Sequence, residues 1–248
     1  MQNPGRFVLR DEGPGFLFLC YIYGMGKIIK RILLVLLLVL VVGAFWVWRA
    51  VTAASPRDLG VSSGPEDLAR AQEKLGQDFV APEIGLSPYD QLKASGSHPV
   101  EVVISEEEFS QHMMAIHPVS DLQIHLEGDT FEVSGRVDRE RIPGFVRTLG
   151  LTGVSDAEIL ETVDKYLPKN PVFYFSGTGS ASDDAIFVSV AKAELGRLPV
   201  PTEYVSEGVA AYLQAVLDSA PGFTAESATI SNGQLQFKGT ATDAIPKY

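Results

Sequence analysis

From Ile32 to Trp48 the chain runs 17 residues without a charge, almost all Leu, Val, Ile or aromatic. As an α-helix, at about 1.5 Å per residue, this run covers about 25 Å, and its flanks complete the roughly 30 Å of a bilayer's hydrocarbon core. Lys27, Lys30 and Arg31 precede it, Trp46 and Trp48 close it, and Arg49 follows. Single spans carry interfacial aromatics and keep their basic excess on the cytoplasmic side, so the expectation is an N-terminus inside and everything after residue 51 outside. The competing reading is a cleaved signal peptide. Its apolar region is ordinarily about 7–15 residues, shorter than this one, although "VTAAS" at 51–55 has the small residues of a cleavage site.

Residues 1–24, "MQNPGRFVLRDEGPGFLFLCYIYG", read neither as a domain nor as a targeting signal. Met25 followed by "GKIIKR" makes a short basic lead, so 25–51 is expected to be the cytoplasmic lead and anchor, with translation starting at Met25. The only cysteine, Cys20, lies in the doubtful extension. The portion beyond the anchor therefore has no disulfide framework, thiol nucleophile or cysteine metal site.

Residues 52–248 carry 14 Lys and Arg against 29 Asp and Glu, a net of −15 where the whole chain has −11. So acidic a portion is unsuited to nucleic acid, which is held by basic patches. It is also repelled by anionic headgroups, while the tails of a lipid in a sheltered groove stay open to it. Residues 52–98 are rich in Pro, Gly, Ser and Ala and read as an extracytoplasmic stalk with one helical patch, "PEDLARAQEKLG" (65–76), between Pro65 and Gly76. Residues 99–248 have the size of one domain with its own core.

Within that domain strands alternate with capped helices. "VEVVI" (100–104) is a strand, and Ser105 with Glu108 forms a capping box opening a helix over 105–116 with Phe109, Met113 and Ile116 on one face. Alternation over 122–137 around Gly128-Asp129 reads as a hairpin. A second capped helix spans 155–167, "VFYFSGTGSAS" and "AIFVSVAKAEL" are strands joined near Asp183-Asp184, and 202–220 is an amphipathic helix through Val205, Val209, Tyr212 and Val216. A last hairpin, 223–242, turns at Asn232-Gly233. A shift of 104 residues lays Phe109 on Leu213, Met113 on Leu217, Leu126 on Ile230, Val133 on Phe237 and Gly135 on Gly239. The expectation is an α+β fold: a curled antiparallel sheet with helices on one face, built on a helix–hairpin repeat whose strand glycines mark bulges.

An N-terminal anchor followed by "VEVVISEEEFSQHMM", "LEGDTFEVSGRV", "NPVFYFSGTGSA", "AKAELGRLPVP" and "ISNGQLQFKGTA" resembles the bacterial membrane-anchored YpmS-like proteins and the tubular lipid-binding (TULIP-like) superfamily over about 100–242. The resemblance rests on the order of elements and implies a curled sheet wrapped on a long helix around an apolar groove. It implies no catalytic residue and no cofactor.

The residues themselves offer little chemistry. His112 and His117 are five apart, wrong for a one-face helical metal pair, and with His98 and His125 they read as surface or edge histidines. "FSGTGSASDD" (175–184) lacks a phosphate-loop lysine and is no nucleophile elbow, so Ser176 and Ser180 have no base to activate them. Asp183-Asp184 lacks the ligand spacing of a calcium loop and reads as a turn. Phe173 and Phe175 sit in a strand apolar on both faces, either core or groove wall, and "GRLPVPTEY" is a rigid exposed crossing into the last helix. The functional expectation is a non-enzymatic extracytoplasmic module without metal or cofactor. It binds a lipid or other hydrophobic ligand against Phe173, Phe175, Val205, Val209, Tyr212 and Val216. The alternative is a protein-interaction module of the cell envelope, with a filled core and an exposed apolar patch.

Overall fold

The computed structural model describes residues 39–40, 55–81, 83–150, 153–166 and 169–247. The chain divides into two compact units, Met1–Trp48 and Arg49–Tyr248. In the first, only Val39 and Leu40 are described, both helical and exposed, so apart from these two residues the anchor expected over 25–51 and the extension over 1–24 lie outside the described residues. Among the described residues no helix is long and apolar enough to cross a membrane.

The second unit is α+β, with six α-helices among its described residues and a mostly antiparallel sheet. Its helices are α1 (Pro65–Leu75), α2 (Pro88–Ala94), α3 (Glu106–Ile116), α4 (Ile142–Thr148), α5 (Asp156–Tyr166) and α6 (Thr202–Ser219). The strands are β1 (Asp78–Val80), β2 (Ser97–Ile104), β3 (Val119–Glu127), β4 (Thr130–Val137), β5 (Val172–Ser182), β6 (Ala185–Leu195), β7 (Leu198–Pro199), β8 (Thr224–Ser231), β9 (Gln234–Thr242) and β10 (Ala244–Pro246). The main sheet runs β2-β9-β8-β5-β4-β3, with β6 on the other side of β5 and β7 on the end of β6.

Two-residue turns set the register of the β3–β4, β5–β6, β6–β7 and β8–β9 hairpins. Asp183 and Asp184 both take positive φ, as do Asn232 and Gly233, which suits the right-handed twist of the flanking strands. Asp184 also fastens its turn to the sheet, Oδ1 accepting from the Ala225 amide at 2.7 Å. Strand β5 is the branch point. Its first part, Val172–Thr178, pairs with β4, its last three residues pair with β8, and β6 runs along its opposite edge. Gly179 stands at the fork, where an added Cβ would meet the Phe131 ring at 3.2 Å. The far ends of the branches come together again at the β8–β9 turn, where a Cβ on Gly233 would lie 3.0 Å from the Leu126 carbonyl.

At the 104-residue shift β3 falls on β8 and β4 on β9, and each hairpin carries a register break at the corresponding place, between Ser120 and Gln123 and between Ala225 and Ser227. Gly135 and Gly239 lie opposite those breaks. The helices differ: α3 lies on its own hairpin, whereas α6 lies along β6. There Ser206 Oγ accepts from the Val190 amide at 2.9 Å and Gln214 Oε1 from the Ile186 amide at 3.1 Å. Eight helical residues and four strand residues both span roughly 12–14 Å, so the helix can cover the strand's outward amides in step.

The segment expected as a stalk does not extend away from the domain. Leu75 belongs to the core with Ile104, Leu217 and Phe237, Ala71 and Val61 are buried, and β1 pairs in parallel with β10 at the C-terminal end. Arg57 stacks 4.1 Å above the Tyr174 ring and bonds Glu194 at 2.6 Å. Few apolar residues spread among Pro, Gly and Ser resemble a linker in composition, yet here they complete a core whose other half lies more than 20 residues downstream.

Candidate functional site

Helix α3 opens on Ser105, whose Oγ accepts from the Glu108 amide while Glu108 Oε2 accepts from the Ser105 amide at 2.9 Å. At its other end the Arg141 guanidinium donates to the carbonyls of Met114 (2.7 Å), Ala115 (2.8 Å) and Val119 (3.1 Å), where the helix has free acceptors and a negative dipole end. The helix is thereby fixed at both ends. Yet its apolar face is less covered than its polar residues: Glu108, Ser110 and His112 are buried, while Phe109, Met113 and Ile116 are only half-buried. The reason is that the apolar face borders two cavities.

The larger cavity, about 540 Å³, lies between α3, α6 and the inner faces of β3, β4, β5, β6, β8 and β9. Its wall is apolar almost throughout, with Leu122, Ile124 and Leu126 from β3, Phe131 and Val133 from β4, and Ala228 and Ile230 from β8. That volume falls within the roughly 300–1,000 Å³ of small-molecule sites. The smaller cavity, about 240 Å³, lies under α1, α2, α4 and β10, and the two share Phe109, Met113, His117 and Leu235. A shallower depression outside, mixed in polarity, shares Gly179, Ser180, Ile186, Phe187, Val188 and Ile230 with the larger cavity and so forms its mouth, rimmed by Asp129 and Glu207. Phe187, 59% exposed, stands at that mouth.

Of the residues nominated from sequence, Phe173, Phe175, Val209 and Tyr212 line the larger cavity and Val216 the smaller one. Val205 is half-buried on α6 and lines neither. The wall contributed by β3, β4 and β8 lies beyond those residues. Its signal was the inward set Leu122, Ile124 and Leu126, which sequence alone assigns equally to a filled core.

Two histidines depart from the surface placement expected of them. His112 and His117 are buried, and burial lowers each pKa to about 4, helped for His117 by His112 and Arg141. Their five-residue spacing puts His117 at the helix cap rather than on a further turn, so it faces α4 and α6 instead of solvent. His117 Nδ1 is 2.6 Å from Tyr212 Oη, and its ring lies 5.5 Å from that of Phe145. His125 pairs with Glu106 at 2.8 Å and His98 with Asp243 at 2.7 Å, both half-exposed. Among the described residues no group of three His, Cys, Asp or Glu is placed to hold a metal.

The chain matches no family model, no curated protein and no solved structure.

Proposed function

We propose that the unit from Arg49 onward is a non-enzymatic extracytoplasmic module, held at the membrane by the 25–51 segment, that shelters a lipid or similar hydrophobic ligand in the larger cavity. The observation that carries this reading is an apolar space of about 540 Å³ with a mouth of mixed polarity, walled by six strands and two helices. A space so lined offers water few hydrogen-bond partners, which favours an apolar occupant. The forked sheet, whose branches rejoin at Leu126 and Gly233, fits a curled wall of the tubular lipid-binding kind, and the matched β3–β4 and β8–β9 hairpins fit an internal repeat.

Native mass spectrometry of residues 49–248, purified gently from cells, tests the reading. Bound masses in the lipid range that leave on denaturation, together with uptake of N-phenyl-1-naphthylamine, are the expected result. Ala228→Phe, which places a ring in the cavity wall, should lower that uptake several-fold. A ligand-free mass with no dye uptake would sink the reading and favour the protein-interaction module.

A further inference from the structure

The smaller cavity differs from the larger in one respect: two of the residues lining it carry buried polar atoms without partners. Gln77 Oε1 and His112 Nδ1 have no hydrogen bond among the described residues. Gln77 comes from the segment after α1 and His112 from α3, so two separate elements bring these residues to the wall of one cavity. A buried acceptor left unpaired costs about 1–3 kcal/mol, and two together in a single cavity of this domain call for a common partner.

The chemistry of that partner follows from the atoms. Gln77 Nε2 already donates to Thr242 Oγ1 at 3.3 Å, which leaves Oε1 as an acceptor in need of a donor. Burial holds His112 neutral down to about pH 4, so its ring offers one donor and one acceptor. The terminal amide and ring torsions are soft, so both groups can turn toward a guest at little cost. A carboxylate can donate to neither, and its desolvation among Leu75, Phe109 and Phe237 is uncompensated. The acidic rim of the mouth, Asp129 and Glu207, also disfavours an anion. A hydroxyl can donate to Gln77 and exchange a second bond with His112.

We propose that the smaller cavity is the head site for an uncharged, hydroxyl-bearing long-chain amphiphile, gripped by Gln77 and His112, whose chain passes Phe109 and Met113 into the larger cavity. This rests on the larger cavity taking an apolar ligand, as proposed above. It adds that the ligand is read at the end remote from the mouth, by one hydroxyl.

The test uses the full chain in nanodiscs of zwitterionic lipid and two photoreactive probes, a diazirine-bearing long-chain primary alcohol and its methyl ether. Labelled peptides are identified by mass spectrometry. The alcohol should label peptides lining the cavities about tenfold more efficiently than the ether, in keeping with the cost of leaving such acceptors unpaired. In Gln77→Leu and in His112→Leu that ratio should fall toward one. A merely structural role for either residue would not move the ratio. Equal labelling by both probes in the unaltered chain overturns the head site and leaves the cavity reading standing, even should the variants fold poorly. Absence of lining peptides from the labelled set with either probe overturns both.

Discussion

His117 Nδ1 and Tyr212 Oη, 95 residues apart in sequence, lie 2.6 Å from each other and join the end of α3 to the middle of α6. The Phe145 ring completes a three-ring wedge, 5.5 Å from His117 and 6.0 Å from Tyr212. The wedge lies between the two cavities, so it fixes the distance between the helices that form their common wall. Tyr212 is 40% exposed and its partner is buried, so the hydrogen bond matters more to the histidine than to the phenol.

Tyr212→Phe keeps the ring contacts and removes the bond, which strands a buried imidazole nitrogen. The expected loss is about 1–3 kcal/mol in urea denaturation. An unchanged midpoint would mean that another group or solvent reaches His117 once the hydroxyl is gone.

Acid should loosen the fold through the same pair of histidines. Their folded pKa of about 4 lies below the ordinary 6.5, so between those values the unfolded chain binds more protons and stability falls as pH falls. Above pH 6.5 both states are neutral and the histidines contribute no slope. At pH 5 each is expected to have cost about 2 kcal/mol relative to pH 7.5. His112→Leu should reduce the drop between pH 7.5 and pH 5 by about half of the histidine share. An equal drop in the variant would place the acid sensitivity in carboxylates instead.

The hairpins, capped helices and their turns were legible because local chemistry specifies them: Asn232-Gly233 and Asp183-Asp184 turn chains whatever surrounds them, and Ser105 with Glu108 starts a helix on its own. What Pro65–Leu75 packs against was not legible, since Ala71 and Leu75 gain their meaning only from Ile104 and Leu217. Strands β1 and β10 are three residues each, and α2 and α4 seven, too short for periodicity to stand out. The cavity was half legible. Aromatic Phe173 and Phe175 and the apolar face of α6 announced that something is covered, but whether side chains or space covers it depends on how far the fork in β5 holds the hairpins apart.

The glycines of the sheet separate backbone contact from mere openness. A Cβ on Gly239 would stand 2.0 Å from the Thr224 carbonyl oxygen, a clash no rotamer relieves, because both atoms belong to paired strands. Gly208, in the middle of α6, has nothing within 4 Å. Gly239→Ala should therefore destabilise by more than about 3 kcal/mol or prevent folding, whereas Gly208→Ala should stabilise by about 0.5–1 kcal/mol. Thermal unfolding of the two variants side by side decides the matter, and similar melting temperatures would contradict the tight contact at the β8–β9 break.

Glu108 ties the early segment to the rest. Its carboxylate, buried at the start of α3, accepts from the Ser105 amide at 2.9 Å and from Lys74 Nζ at 2.7 Å, with Arg70 Nε 3.6 Å away. Lys74 also donates to the Val103 carbonyl at 3.0 Å, so one lysine on α1 spans β2 and α3. Glu108→Gln keeps the helix cap and loses the charge, and should cost about 1 kcal/mol. Glu108→Ala loses both and strands Lys74 beside its remaining carbonyl partner, for an expected loss of about 2–3 kcal/mol. The alanine variant should also become more open to limited proteolysis within residues 65–76, with cleavage there preceding cleavage in the β5–β6 hairpin. Protection equal to that of the unaltered chain would show that Ala71 and Leu75 hold α1 in place by packing alone.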